Sequence, residues 1–322
     1  MSSLQNVLNS SAIIHPPGFY ITGFESFPLI STYFIFMAFV YVCTVLFNSL
    51  LIYIIAVNHS LPTPRFLVIV NLLVVDLFLN KCTIPGTIKI FLIKDNFIPF
   101  NLCFAQMYIY YVLAELESIA LTILAYDRLI AICFPLRQNS VNTVRRMVGI
   151  ISITWCFCLG STAFVTIIMT QLSFCKSVQV FSYFCDYAPV FRLACNDYSL
   201  QWTAASVLSM SLLGGPFTFI LLTYVSILVT VFRMKSVDHR PKSLATCVEH
   251  IIVVAVFYIP LFVIFSIGFY VGAVDPDQRV LSLSLASCIP PCINPVVYSL
   301  KTKEIKIRAM VLFRVNRVNA NK

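Results

Sequence analysis

The amino-acid sequence predicts an all-α membrane protein in which seven helices cross the bilayer as one bundle. Composition supports this fold class, because 59% of the 322 residues are hydrophobic and only 11% are charged. A water-soluble domain is about a quarter charged, so lipid is the natural solvent for much of this chain. The second observation is that long apolar runs recur along the whole sequence.

These apolar runs have the length that a spanning helix needs, roughly 20 residues. Backbone amides in lipid must be satisfied within their own segment, so the runs are predicted to be helices. A membrane β-barrel would instead show segments of about 10 residues with alternating polarity, and the sequence has none. The seven predicted spans are 29–57, 66–91, 103–133, 147–170, 203–232, 247–272 and 280–300.

Basic residues set the predicted orientation, because cytoplasmic loops carry the excess of Lys and Arg. The formal net charge is +9, and the basic residues concentrate after spans 1, 3 and 5 and in the C-terminal tail. We therefore expect an extracellular segment 1–28, a transmembrane domain 29–300 and a cytoplasmic tail 301–322 at the plasma membrane. The basic, amphipathic tail is expected to form an interfacial helix. Asn9 begins an N-glycosylation sequon on the expected outer side.

Ionisable residues in the middle of predicted spans are functional candidates, because charge in lipid is costly. Asp76 and Lys81 lie in span 2, and Glu115 and Glu117 lie in span 3. A separation of two residues is about 200° of helix rotation, so Glu115 and Glu117 cannot share a face, and one of them can meet Asp76. Two adjacent carboxylates need a small cation or a shared proton. A structural hydrogen-bonded cluster with one neutral carboxyl explains the same residues equally well.

Four sequence motifs define the likeness of this chain to a known family. Span 3 ends in Ala-Tyr-Asp-Arg-Leu-Ile-Ala-Ile-Cys-Phe-Pro-Leu-Arg at 125–137. The others are Leu-Pro-Thr-Pro-Arg-Phe at 61–66, Lys-Ser-Leu-Ala-Thr-Cys-Val-Glu-His at 242–250 and Pro-Pro-Cys-Ile-Asn-Pro-Val-Val-Tyr-Ser-Leu at 290–300. In this order the motifs resemble those of odorant receptors, which are rhodopsin-like G-protein-coupled receptors. The chain departs from the family pattern at Arg65, Leu124 and Leu129.

The resemblance implies a receptor that binds a small odorant in the outer half of the bundle. It implies a stimulatory, olfactory-type heterotrimeric G protein as the partner and a rise in cyclic AMP as the result. Asp127 would hold Arg128 while the receptor is inactive, and on activation Arg128 would rearrange with two tyrosines of spans 5 and 7. The implied switch residues are Asp127, Arg128, Tyr224, Asn294, Pro295 and Tyr298.

By position, the ligand pocket is expected among residues of spans 3, 5, 6 and 7, although plain helix packing explains any single aromatic member as well. These residues are Tyr110, Tyr111, Ala114, Glu115, Leu208, Leu212, Tyr258, Phe262, Ser284 and Ser287. Receptors for biogenic amines carry an Asp near Tyr110, and its absence here argues against an amine receptor of the usual kind. Glu115 is predicted to serve a cationic ligand or to pair with Lys81. The resemblance implies that Glu117, facing Asp76, forms a sodium-like site with it.

Four of the twelve cysteines fall on the expected outer side, where disulfides form. They allow three pairings, and their spacing does not choose between them. The resemblance implies that Cys103 pairs with Cys185 and that Cys175 pairs with Cys195.

Three alternative functions fit the residues less well. A rhodopsin-like receptor for a non-odorant ligand would share the Asp-Arg and Asn-Pro motifs but not the whole set. A transporter or channel would more often show internal repeats with matched broken helices. An enzyme is the weakest alternative, because the four histidines are scattered and no nucleophile motif or phosphate loop is present.

Overall fold

The computed structural model describes residues 13–24, 29–57, 63–175, 177–233, 240–270 and 276–301. Within these ranges, side chains 240–243, 246, 264–270, 276, 279 and 298–301 are also outside the description. Seven long helices make up most of the described chain. They are α1 Ile30–Val57, α2 Pro64–Leu92, α3 Phe100–Cys133, α4 Val144–Met169, α5 Ser199–Arg233, α6 Arg240–Tyr270 and α7 Pro276–Lys301.

Five of these helices contain a segment long and apolar enough to cross a membrane, namely α1, α2, α4, α5 and the segment Val280–Val297 of α7. Helix α3 passes the same test only together with the turn Pro135–Val141, which follows it at an angle of 114°. The apolar stretch of α6, Cys247–Val263, is shorter. Among the described residues, five or six helices can therefore span a bilayer, and seven spans stay a prediction.

The helices mostly extend past the predicted apolar runs, because a regular helix continues beyond the hydrocarbon layer into polar flanking residues. Helix α4 begins three residues earlier than predicted, where the hydroxyl of Thr143 accepts a hydrogen bond of 3.3 Å from the backbone N–H of Arg146. Such N-capping satisfies an amide that has no partner inside the helix. Helix α5 contains a π-helical turn, Met210–Gly214, which the apolar pattern does not predict.

The lipid-facing side of the bundle is visible in the exposure of large apolar residues. On α1, Phe39 is 66% exposed and Leu46 is 61% exposed, whereas Asn48 is fully buried. This inverts the pattern of a water-soluble helix, whose polar side chains face outward. The inward faces of α2, α3, α5 and α6 form the largest core cluster, around Leu72 and Leu121.

A small sheet covers one end of the bundle. Its strands are β1 Gly18–Thr22, β2 Phe97–Pro99 and β3 Gln179–Phe181, in the order β2-β1-β3. Strand β1 pairs antiparallel with β2 and parallel with β3, so the N-terminal segment joins two loops that are distant in sequence. Glycine is required at position 18, because a Cβ atom there would lie 2.3 Å from the carbonyl oxygen of Ile98. We call this end of the bundle the outer end, and the end that carries Asp127 and Arg128 the inner end.

Candidate functional site

The loop between α4 and α5 is held at the outer end by two disulfides. Cys103 at the start of α3 is bonded to Cys185, and their Cα atoms are 5.3 Å apart. Cys175 is bonded to Cys195 within the loop, with Cα atoms 5.8 Å apart. These are the pairings that the resemblance implies. Because Cys185 is tied to α3, its neighbours in the loop are placed directly over the predicted pocket.

One serine of α7 connects the loop to the predicted pocket. Ser287 Oγ accepts a hydrogen bond of 2.8 Å from the hydroxyl of Tyr183 in the loop. It also lies 2.9 Å from the hydroxyl of Tyr110 on α3. The ring of Tyr110 packs against that of Phe184, with centroids 4.2 Å apart. Helices α3 and α7 and the loop therefore meet at one buried polar point, which closes this part of the outer half.

A second serine of α7, Ser284, joins the outer half to α1. Its Oγ lies 2.6 Å from the hydroxyl of Tyr33 and donates to the carbonyl of Leu281. Ser284 and Ser287 are three residues apart and therefore occupy neighbouring positions on one side of α7. Both predicted serines face into the bundle, and both bind tyrosines.

A stacked pair of tyrosines lies between α3 and the loop. The rings of Tyr111 and Tyr187 have centroids 4.3 Å apart and are inclined by 28°. Tyr111 donates a hydrogen bond of 2.5 Å to Asp186 Oδ1, and the Tyr187 hydroxyl lies 2.7 Å from Thr166 Oγ1 on α4. Asp186 is 2% exposed, so a carboxylate is buried close to the tyrosine pair.

Glu115 lies one helical turn below Tyr111 on α3 and faces α4. Its Oε2 accepts a hydrogen bond of 2.9 Å from Thr162 Oγ1, and the residue is 6% exposed. Lys81, by contrast, lies on an exposed face of α2. In the described part of the chain the only ion pair is Lys89–Asp95 at the outer end of α2. Of the two roles predicted for Glu115, pairing with Lys81 is therefore not seen.

The remaining predicted pocket residues lie at different depths. Leu212 is buried in the π-helical turn of α5, where its carbonyl accepts a hydrogen bond of 2.9 Å from Ser118 Oγ. Ser118 also lies 2.7 Å from the Tyr258 hydroxyl, so it connects α3, α5 and α6. Phe262 is 37% exposed, and Ala114 is half-buried on α3.

Leu208 is half-buried at the edge of the outer half. It lines an open groove of about 570 Å³ between α4 and α5, together with Phe157, Phe164 and Val207. These three neighbours are more than half exposed, so the groove lies on the face that the bundle turns toward lipid. Leu208 also packs against the core cluster that contains Tyr187 and Cys185, so it lies at the boundary between this groove and the aromatic cluster of the outer half.

The predicted cation site lies in the middle of the bundle. Asp76 is fully buried, and its Oδ2 accepts a hydrogen bond of 2.9 Å from Asn294 Nδ2. Glu117 is 1% exposed, and its carboxylate interacts electrostatically with that of Asp76. Several buried oxygens of α1, α2, α3 and α7 have no hydrogen-bond partner among the described residues, including Asn48 Oδ1, Asp76 Oδ1, Asn80 Oδ1, Glu117 Oε1 and Asn294 Oδ1. Hard cations are bound by oxygen ligands of this kind, so the residues present fit a small cation.

At the inner end, Asp127 and Arg128 are both buried, but they do not pair with each other. Asp127 Oδ1 accepts a hydrogen bond of 2.8 Å from Asn142 Nδ2. No Asp127–Arg128 ion pair exists among the described residues, because adjacent side chains on a helix point in different directions. Arg128 Nε is buried without a hydrogen-bond partner there. In this conformation Asn142 therefore occupies the place that the resemblance implies for Arg128.

The other predicted switch residues are distributed over α5 and α7. The Tyr224 hydroxyl lies 2.5 Å from His250 Nδ1, which joins α5 to α6. Pro295 follows the buried Asn294 inside α7. The side chain of Tyr298 lies outside the described residues, as do Asn9 and the tail 302–322.

Sequence reasoning missed the loop residues Tyr183, Phe184, Asp186 and Tyr187, and Ser118 and Asn142. Four of them had a usable signal, because they flank Cys185, whose implied bond to Cys103 brings its neighbours over the bundle. Ser118 and Asn142 had no such sequence signal, since their roles depend on contacts with distant helices or with the carboxylate of Asp127.

Comparison with known proteins agrees with this arrangement. A family model described as olfactory receptor matches residues 37–315. Olfactory receptor 51E2 of Mus musculus is 32% identical over 295 residues, which cover 90% of this chain and 88% of the relative. Its Homo sapiens counterpart is 31% identical over 321 residues, or 98% and 97% of the two chains. Olfactory receptor 10G4 of Homo sapiens is 33% identical over 290 residues, which cover 89% of this chain and 92% of the relative.

The family model covers most of the chain, and the relatives align with this chain over almost its whole length. Proteins of this kind are multi-pass membrane receptors that signal, and they are not enzymes. The resemblance inferred from the motifs is therefore confirmed, and the chain belongs to the olfactory receptor family of G-protein-coupled receptors.

Proposed function

We propose that this receptor binds a small odorant in the outer half of the bundle and activates a stimulatory, olfactory-type G protein, which raises cyclic AMP. We also propose that it resides in the plasma membrane with its N-terminus outside, glycosylated at Asn9. The observation that carries the proposal is that α3 contributes to every part of the candidate site. It supplies Tyr110 to the outer half, Glu117 to the middle and Arg128 to the inner end.

The proposed pocket lies beneath the loop that Cys185 fixes to α3. Its lining combines aromatic rings with a few placed polar groups, the usual composition of a small-ligand site. On α3, Tyr110 contacts Ser287 of α7, Tyr111 contacts the loop, and Glu115 faces α4. A ligand acts as an agonist only if it binds the active conformation more tightly than the inactive one.

The proposed switch lies at the opposite end of α3. Asp127 is bound by Asn142, and the nearby pair Tyr224–His250 joins α5 to α6. On activation, Arg128, Tyr224 and Tyr298 would rearrange and open a crevice for a helix of the G protein. A sodium ion held by Asp76 and Glu117 would lie between the pocket and the switch and would favour one conformation.

The proposal is tested by measuring cyclic AMP in cells that co-express the receptor and an olfactory-type stimulatory G protein. The cells are exposed to a panel of volatile and water-soluble small molecules. We expect at least one response, and we expect Arg128→Ala to abolish it at matched surface level. Arg192→Ala, an arginine exposed in the loop at the outer end, is the matched control and should respond like the wild type.

Two results would contradict the proposal. A response that survives in Arg128→Ala would exclude the proposed switch. A response that requires a G protein of another class would exclude the proposed coupling.

A further inference from the structure

A buried acid lies beside a pair of tyrosines where α3, α4 and the loop pack together. Glu115 and Tyr111 are four residues apart on α3 and so lie on one face of that helix. Thr162 and Thr166 have the same spacing on α4, and they contact Glu115 and Tyr187 respectively. The rise of four helical residues is about 6 Å, so the tyrosine pair lies roughly one turn above the acid.

Glu115 has the features of an acid that is held ready for a cation. It is 94% buried, since 6% of its surface is exposed. Only one of its carboxylate oxygens, Oε2, has a hydrogen-bond partner among the described residues, and that donor is the neutral hydroxyl of Thr162. No described Lys or Arg forms an ion pair with it. A buried carboxylate normally requires a paired charge or several donors.

The aromatic pair provides an independent indication of the ligand. Tyr111 and Tyr187 stack with centroids 4.3 Å apart, and their hydroxyls are directed to Asp186 and Thr166. Aromatic faces attract cations through the ring quadrupole. Burial raises the pKa of the Tyr187 hydroxyl above its ordinary value, and the charges of Glu115 and Asp186 raise it further. The tyrosine hydroxyl therefore stays neutral.

We infer that the ligand of this receptor is a small amine whose ammonium group binds Glu115 Oε1 beneath the Tyr111–Tyr187 pair. The inference rests on the proposed function and names the ligand class of the same pocket. It differs from the usual arrangement of amine receptors, whose acid would lie near Tyr110, because here the acid lies more than one turn deeper and faces α4. Simple alkylamines are protonated at neutral pH, as the lysine side chain is.

The experiment compares charged and neutral ligands of the same shape. The full chain is purified into lipid nanodiscs, and its Tm is measured with cyclohexylamine, benzylamine and isoamylamine. The matched neutral probes are cyclohexanol, benzyl alcohol and isoamyl alcohol. A ligand that binds the folded state alone raises the Tm, and at equal concentration a tighter ligand raises it more. We expect at least one amine to raise the Tm and its matched alcohol to have a much smaller effect.

Glu115→Gln is the decisive variant, because it keeps an oxygen for Thr162 and removes the charge. We expect it to lower the affinity for the amine by at least about tenfold, since losing one partner of a buried charge pair is costly. Asp95→Asn removes a charge from an exposed position at the outer end and should keep the wild-type affinity. If Glu115→Gln fails to fold, Glu115→Asp replaces it as a variant that keeps the charge. The comparison of amines with alcohols on the wild type then still tests whether the ligand charge matters.

Several outcomes would overturn the inference. They are equal stabilisation by amines and alcohols, wild-type amine affinity in Glu115→Gln, or no stabilisation by any amine. Cyclic AMP measurements separate this failure from failure of the proposed function. Amine binding with no cyclic AMP response to any amine or neutral odorant would count against the function alone, and a response to neutral odorants without amine binding would exclude the inference alone.

Discussion

The carboxylate of Asp127 at the inner end of α3 is bound by the side-chain amide of Asn142, at 2.8 Å. Both residues are buried. Asn142 follows the turn Pro135–Val141, which leaves α3 at 114°. The hydrogen bond therefore links the acid of the Asp-Arg motif to the segment that connects α3 and α4, and any movement of that segment acts directly on the motif.

We predict that Asn142→Ala raises basal cyclic AMP several-fold. The substitution leaves the buried Asp127 carboxylate without its donor, and an unsatisfied buried group costs about 1–3 kcal/mol. The conformation with the Asp127–Asn142 hydrogen bond is therefore destabilised relative to the conformations that lack this bond. Asn139→Ala is the matched control, because Asn139 is exposed in the same turn. Equal basal signalling in both variants, at equal surface level, would show that this hydrogen bond does not restrain the receptor.

Sodium sensitivity is predicted to depend on Asp76 and Glu117. Replacing sodium by choline should lower the Tm of the purified wild type, because a bound ion stabilises the folded state. Asp76→Ala and Glu117→Ala should remove this difference and alter basal signalling. Glu115→Gln changes a carboxylate that faces α4 instead and should keep the sodium effect. A Tm that is independent of sodium in the wild type would rule out the cation site.

Ser287→Ala is predicted to loosen the attachment of the outer loop. The variant removes the shared partner of Tyr110 and Tyr183 and leaves two buried hydroxyls to find others. A cost of about 1–3 kcal/mol is expected, with a fall in Tm of about 2–4 °C per kcal/mol. Ser282 lies on the same helix, and its hydroxyl has no hydrogen bond among the described residues, so Ser282→Ala should leave the Tm unchanged. If the two variants melt together, the serine contributes no stability.

The two disulfides are predicted to differ in importance. The Cys103–Cys185 bond closes a separation of 82 residues, and Cys175–Cys195 closes only 20. Loop closure entropy favours the longer crosslink, which also positions Tyr183, Asp186 and Tyr187. Cys103→Ser should therefore reduce surface expression and Tm more than Cys175→Ser does. Surface labelling of intact cells measures the first quantity, and the reverse ranking would contradict this view.

The sequence predicted the helical regions well, because a spanning helix requires a long apolar run, and this run is visible in the sequence whatever the helix packs against. The relation between Glu115 and Glu117 could also be predicted in part. Their separation of two residues places them on opposite faces, and the structure directs one toward Thr162 and the other toward Asp76. Which acid takes which partner depends on how α3 is rotated against its neighbours, and the spacing alone does not contain that rotation.

The outer half was less predictable, for a physical reason. Tyr183 and Asp186 lie in a loop without hydrophobic periodicity, so only their position beside Cys185 gives a signal that they are buried. Their positions follow from the bond between Cys185 and Cys103 and from a sheet that joins three distant segments. Long-range connections of this kind do not appear in any short window of sequence.

The π-helical turn in α5 makes this helix unusually tolerant of a change in chain length. A π turn holds one residue more than the α turn that it replaces. A natural variant that lacks one residue between Met210 and Gly214 could close the turn and leave Tyr224 in the same rotational phase toward His250. In a regular α-helix, the same deletion would turn everything beyond it by about 100°. Evolution could therefore remodel the contact between Ser118 and Leu212 without disturbing the inner end.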